Sequence, residues 1–304
     1  MDTPQIITSA TVHLEKLPGH IFDVLSVAKP VSPAAGVNLA KVISKLSPLL
    51  GNLIEFNIVE ILNEDKEFGA FGSWIRQDPG FPDAIFQGTV DPIPGFEVKA
   101  WFPLSTEITA RFKDSQNHFV NKNIYMALLA WLPEHVIYGR PRILDVAVIE
   151  GGSIAYVRDT HYHNPPDYLV LEPEDTRSRT RNLQQTNTNG YKWQGTQEKL
   201  LDAQKVVESW GAEGRVYKPT IEYQTLLRQL LNRYSYRLDT NFAKIDRIGH
   251  PDIELFKRRV QDTIVEGMTV RQWSRISGGN DQIIQQAFSQ FLNIIEADAD
   301  KLVK

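Results

Sequence analysis

The stretch PGFPDAIFQGTVDPIPGFEVKAWF, residues 79–102, constrains this chain more than any other. Apolar residues alternate along both of its halves, as side chains do on the two faces of a β-strand. The Gly and Pro residues of GTVDPIPG mark the bend between the halves. Charged side chains in such a pair normally face water. Asp83, Glu97 and Lys99 instead sit among Phe81, Ile85, Phe86, Phe96, Val98, Trp101 and Phe102. Alternation puts Glu97, Lys99 and Trp101 on one strand face, with Phe96, Val98, Ala100 and Phe102 on the other. Asp83 shares the parity of Ile85 and Gln87, and an antiparallel hairpin turns it to the face of Glu97.

The width of the connection decides whether these groups meet. A turn confined to residues 91–95 pairs Val90 with Phe96 and leaves Asp83 and Glu97 about six residues, roughly 20 Å, apart along the strands. A shared site requires a wider or bent connection, which Gly88, Pro92, Pro94 and Gly95 allow. The parity survives a slip by an even number. Two carboxylates and an ammonium converging there suit a hard cation: Mg2+ takes oxygen ligands, keeps several waters and often uses one or two carboxylates plus phosphate oxygens. An exposed Glu97–Lys99 pair on an edge strand, with Asp83 as a turn residue after Pro82, is the structural alternative.

Pro82-Asp83, thirteen intervening residues and Glu97-Val98-Lys99 together resemble the signature of the PD-(D/E)XK nuclease superfamily, which includes most type II restriction endonucleases. The resemblance covers roughly residues 50–175. It implies a mixed sheet with the signature on adjacent strands and helices before and after it. GNLIEFNIVEILNE and EVKAWFPLSTEITARF supply those helix candidates. It further implies Mg2+-dependent hydrolysis of double-stranded DNA by a homodimer. Asp83 and Glu97 would bind the metal, and Lys99 would orient or activate water. Glu55, on an otherwise apolar helix face, would be a further metal ligand, with Glu60 as runner-up and Asn52 in support. Magnesium is the one cofactor expected.

Elsewhere the pattern predicts a helix from about Ala34 to Leu62 interrupted at Pro48, its second half apolar almost all round and therefore buried. TEITARFKDSQNHFVNKNIYMALLAWL reads as helical, while HVIYGRPRILDVAVIEG, SIAYVRDTHYH and DYLVLEP read as strands. Four further helices are expected after Gln197, among them HPDIELFK with Asp252 as its cap. The fold class expected is α/β or α+β, a central mixed sheet flanked by helices with a helical C-terminal part. The expected division is a core of residues 1–195 followed by a helical part, 196–304.

Two segments have the composition of a DNA surface. Ser105, Thr106 and Arg111 follow the signature, where hydroxyls and basic groups at a helix start hold phosphates. EDTRSRTRNLQQTNTNGYKWQG carries Arg177, Arg179 and Arg181, then Gln184, Gln185, Asn187, Asn189 and Lys192. Arginine pairs bidentately with guanine, and Asn and Gln pair with adenine. A solvated face or a linker shares these compositions. His161 and His163 form a His-x-His pair without a third ligand at a defined spacing. TVRQWSRISGGNDQIIQQAF loosely matches a helix-turn-helix.

The 304 residues, 42% hydrophobic and 23% charged, are ordinary for a globular protein. A net charge of −4 excludes indiscriminate coating of nucleic acid, and the absence of cysteine excludes thiolate chemistry and disulfides. The reading is of a soluble, cytoplasmic protein without a signal peptide or a membrane-spanning run. A structure-specific repair or junction-resolving nuclease and a non-catalytic DNA-binding protein are the rival functions.

Overall fold

In the computed structural model of the chain, residues 1–64, 68–77, 80–104, 108, 119, 123–163, 171–172, 189–193, 195–216, 218, 220–239, 245 and 249–296 are described. They form a mixed α/β fold of the expected class. Its centre is a five-stranded sheet in the order β1 (Gly72–Arg76), β2 (Ala84–Gly88), β3 (Gly95–Trp101), β4 (Ile124–His135) and β5 (Tyr138–Glu150). Only β3 and β4 run parallel.

The first helices are α1 (Thr3–Leu14), α2 (Pro33–Ile43) and α3 (Ser47–Glu64). A 3-10 turn, Ser44–Leu46, joins α2 to α3, so the interruption falls before Pro48. Pro48 sits in the first turn of α3, where its missing N–H costs no helix bond. Helix α3 packs on β1 and β3. A Cβ on Gly51 would lie 3.8 Å from that of Ala100. The next residue, Trp101, meets Phe256 at 5.9 Å between ring centroids. By strand alternation these contacts lie on opposite sides of the sheet, so helices cover both faces of β3. The edge strand β1 is closed by one side chain. Asn63 Nδ2 donates to the Trp74 carbonyl and the Trp74 N–H donates to Asn63 Oδ1, both at 2.8 Å. Asn63→Ala leaves both backbone groups unpaired, and a loss of about 1–2 kcal/mol in urea unfolding is the expected result.

Several expectations change here. IYMALLAWL is not helical: it is the body of β4, buried along nearly its whole length. A strand covered on both faces has no polar side and shows no period. SIAYVRDTHYH is not a strand but lies in α4 (Gly151–His163), so the His161-x-His163 pair falls on a helix. Helix α3 is not buried all round, since Leu49 and Phe56 stay 53% and 48% exposed. With α2 it also has the length and composition of a membrane span, contrary to the expected absence of such a run.

The chain divides into two units, residues 1–109, 115–157 and 246–304 in one, 110–114 and 158–245 in the other. This differs from the expected boundary at 195. The last helices, α7 (Pro251–Asp262), α8 (Val270–Ser277) and α9 (Asp281–Leu292), belong with the large sheet. Helix α7 packs on β5, where Arg259 Nε donates to Asp145 Oδ2 at 2.7 Å, and α9 packs on α2. The cap of α7 is His250, not Asp252: His250 Nδ1 accepts from the Asp252 N–H at 3.3 Å. A short hairpin, β9 (Ile264–Val265) and β10 (Met268–Thr269), precedes α8.

The second unit has a three-stranded sheet of β6 (Leu171–Glu172), β7 (Asn189–Trp193) and β8 (Tyr236–Asp239). Its helices α5 (Gln197–Glu208) and α6 (Ile221–Arg233) bury Ala203, Val207, Tyr223, Leu227 and Leu230, against which Tyr191 and Trp193 pack. Leu227 and Leu230 are therefore core.

Candidate active site

The strand register resolves the problem of reach. Ala84 pairs with Phe96 and Ile85 with Gly95, a slip of six from the narrow hairpin, so Asp83 falls at the level of Glu97. The connection from Phe86 to Pro94 is correspondingly wide. Gly95 permits this approach, because a Cβ there would lie 2.5 Å from Pro82 Cγ.

Strand β2 begins at Ala84, so β3 continues past it with an open edge, and Asp83 occupies that edge. The Val98 N–H donates to Asp83 Oδ2 at 2.8 Å. Lys99 Nζ donates to the same oxygen at 3.2 Å, to the Val98 carbonyl at 2.9 Å, and pairs with Glu97 Oε1 at 2.7 Å. The side chains of Lys99, Asp83 and Glu97 keep 21%, 23% and 11% exposure. The second carboxyl oxygen of Glu97, Oε2, is buried without a hydrogen-bond partner.

Helix α3 brings Glu55 into the same field. Burial pushes its carboxyl up to about 7, and the charges of Asp83 and Glu97 add to this while Lys99 and Arg76 oppose it. Burial also raises Glu97, helped by Asp83 and resisted by Lys99. Burial alone would lower Lys99, but Glu97 and Asp83 outweigh it and hold the ammonium above its ordinary value. Acid is in excess, three carboxyls to one lysine: the carboxylates set the direction for Lys99, while for Glu55 and Glu97 they add to an upward shift that burial leads.

All four residues expected at the site, Asp83, Glu97, Lys99 and Glu55, are thus brought together. Glu60 and Asn52 are exposed on α3. Arg76 is the member that sequence reasoning does not single out. Its position at the end of β1, level with Ala84, places its charge near Glu55, and nothing in its local sequence marks it.

Among the described residues no three His, Cys, Asp or Glu side chains already stand at metal-holding spacing, and Lys99 lies between the two strand carboxylates. The donors nevertheless fit Mg2+. They are all carboxyl oxygens, one of them is buried without a partner, and magnesium needs only one or two from the protein.

Of the expected DNA contacts, Ser105, Thr106, Arg111, Arg177, Arg179, Arg181, Gln184, Gln185 and Asn187 lie outside the described residues. Asn189 and Lys192 belong to β7, the middle strand of the small sheet, opposite Glu172 and Arg237. The end of the polar stretch is therefore a strand and not a loop. Comparison with protein-family models, with curated proteins and with solved structures gives no match.

Proposed function

We propose that this chain is a Mg2+-dependent endodeoxyribonuclease of the PD-(D/E)XK type, hydrolysing double-stranded DNA at specific sequences as type II restriction enzymes do. One observation carries the reading: Lys99 is held between Asp83 and Glu97, at the open edge of a strand, beside a buried carboxyl oxygen without a partner. A purely structural ion pair needs neither the surplus of acid nor the unsatisfied oxygen, both of which cost stability.

Asp83 and Glu97 would hold the metal, with Glu55 as the third carboxyl. Magnesium, when bound, polarises the scissile phosphate and stabilises the leaving oxygen. Lys99 keeps its proton, positions the attacking water and offsets negative charge gathering on the phosphate. The water oxygen bonds to phosphorus as the bond to the 3′ oxygen breaks. The water's proton passes to solvent and the leaving 3′ oxygen takes a proton from solvent, so the products are a 5′-phosphate and a 3′-hydroxyl.

The test is incubation of the purified chain with unmethylated phage DNA at about 1–10 mM Mg2+, since such sites bind magnesium weakly, beside an EDTA control. Discrete fragments that need magnesium are expected. DNA left intact across several sequences and divalent metals would overturn the reading. Cutting confined to junctions or flaps would keep the chemistry and replace sequence by structure as the thing recognised.

A further inference from the structure

Helices α2 and α3 run on through the 3-10 turn as one helical stretch, residues 33–64, and their outer face is polarised. Lys41 and Lys45 stand exposed at its N-terminal end, Leu49 and Phe56 in its middle, and Glu60 and Glu64 at its C-terminal end. Within α3 the steps of seven and four residues keep Leu49, Phe56, Glu60 and Glu64 on one side of the helix, and Lys41 and Lys45 stand before them at the 3-10 turn. Lys41 is engaged within the chain, 2.8 Å from Asp281. Lys45 and Glu60 form no ion pair among the described residues.

We infer that this face binds the same face of a second copy, antiparallel, across a two-fold axis passing between Asn52 and Leu53. In that register Lys45 meets Glu60 of the partner subunit, Leu49 meets Phe56 of the partner subunit, and each contact occurs twice. A parallel arrangement would set lysine against lysine and glutamate against glutamate. A pattern that is complementary to itself after reversal is what an isologous dimer requires. The same lysines and glutamates disfavour a membrane as the occupant, because they interrupt the apolar face at both ends.

The placement has a consequence for the site. Glu55 precedes Phe56, so each subunit's Glu55 lies about 4 Å along the helix from the axis at 1.5 Å per residue. The two copies of α3 that carry the carboxyls therefore cross each other at the dyad. The inference rests on the exposed face alone and stands whether or not the chain cuts DNA.

Sedimentation equilibrium of the full chain, over a range of concentrations, is the experiment. The wild type is expected at twice its 34.6 kDa. Lys45→Glu and Glu60→Lys each replace two attractions by two repulsions and are expected to weaken the dimer about tenfold. The Lys45→Glu/Glu60→Lys double variant restores the pairs and is expected to return close to the wild-type dissociation constant. Phe56→Glu is expected to give monomer with an unchanged circular dichroism spectrum. A wild type that stays monomeric overturns the inference, including one that floats with phosphatidylcholine vesicles. So does a dimer indifferent to Phe56→Glu, or a double swap as weak as either single one. DNA cleavage by a monomeric wild type would sink this inference and leave the nuclease reading intact.

Discussion

Replacing Lys99 with methionine is expected to lower the magnesium-dependent cleavage rate by about 1000-fold, the scale of losing a preorganised charge at a reacting group. It is also expected to destabilise the fold. Lys99 is the cation that Asp83 and Glu97 contact at 3.2 and 2.7 Å. Removing one member of a buried pair costs roughly 3–5 kcal/mol, and the one-fifth exposure of Lys99 and Asp83 places this case near the lower end. Loss of activity alone would therefore be ambiguous. A second variant separates the causes. Lys99→Met/Glu97→Gln removes both charges of the closest pair, so most of the stability should return in urea unfolding while cleavage stays lost. Recovery of both would make the lysine a structural counter-ion. Full activity in Lys99→Met would remove it from the site.

What the sequence revealed of this site follows from which signals are local. The pairing of Asp83 with Glu97 and Lys99 was legible, because alternation along β2 and β3 sets the parity of every side chain whatever the turn between them. The register was not. It depends on how residues 89–94 make the connection from the end of β2 to the start of β3, and on Gly95 lying against Pro82. Glu55 was legible as a charge on an apolar helix face. Arg76 was not, since only the pairing of β1 with β2 carries it to the site.

The errors elsewhere have equally physical causes. Strand β4 is apolar throughout because both of its faces are covered, and such a run carries no periodicity to separate strand from helix. In α4 the helical signal was present but short: Gly151, Ile154 and Ala155 are buried at helical spacing. The glycine is required there because a Cβ would collide with the ring of Phe119, a contact from more than thirty residues away in sequence. In β7, Tyr191 and Trp193 alternate with polar neighbours, a strand signal obscured by the long polar segment before it.

Glu55→Gln is expected to move stability in the opposite direction from Lys99→Met, and to do so only at neutral and higher pH. In the folded, metal-free chain the Glu55 carboxyl is pushed from 4.5 up to about 7, by burial first and then by the charge of Asp83. Below pH 4.5 both the folded and unfolded chains hold this proton, and Glu55 contributes no pH dependence. Between pH 4.5 and 7 the unfolded chain releases it while the folded chain keeps it, so stability falls as pH rises. Above pH 7 the penalty is complete and constant. A shift of this size corresponds to at most about 3 kcal/mol, less what partial exposure screens. Glutamine has no proton to lose, so in EDTA the variant should match the wild type at pH 4 and exceed it by about 2 kcal/mol at pH 8. Equal stability at both pH values would mean that Glu55 is better solvated than its place on α3 indicates. A variant that is more stable at pH 8 and yet fails to cut DNA would show that the carboxyl is kept at the expense of the fold. That expense is intelligible at a cation site, where the repulsion among Glu55, Asp83 and Glu97 is relieved when the metal binds.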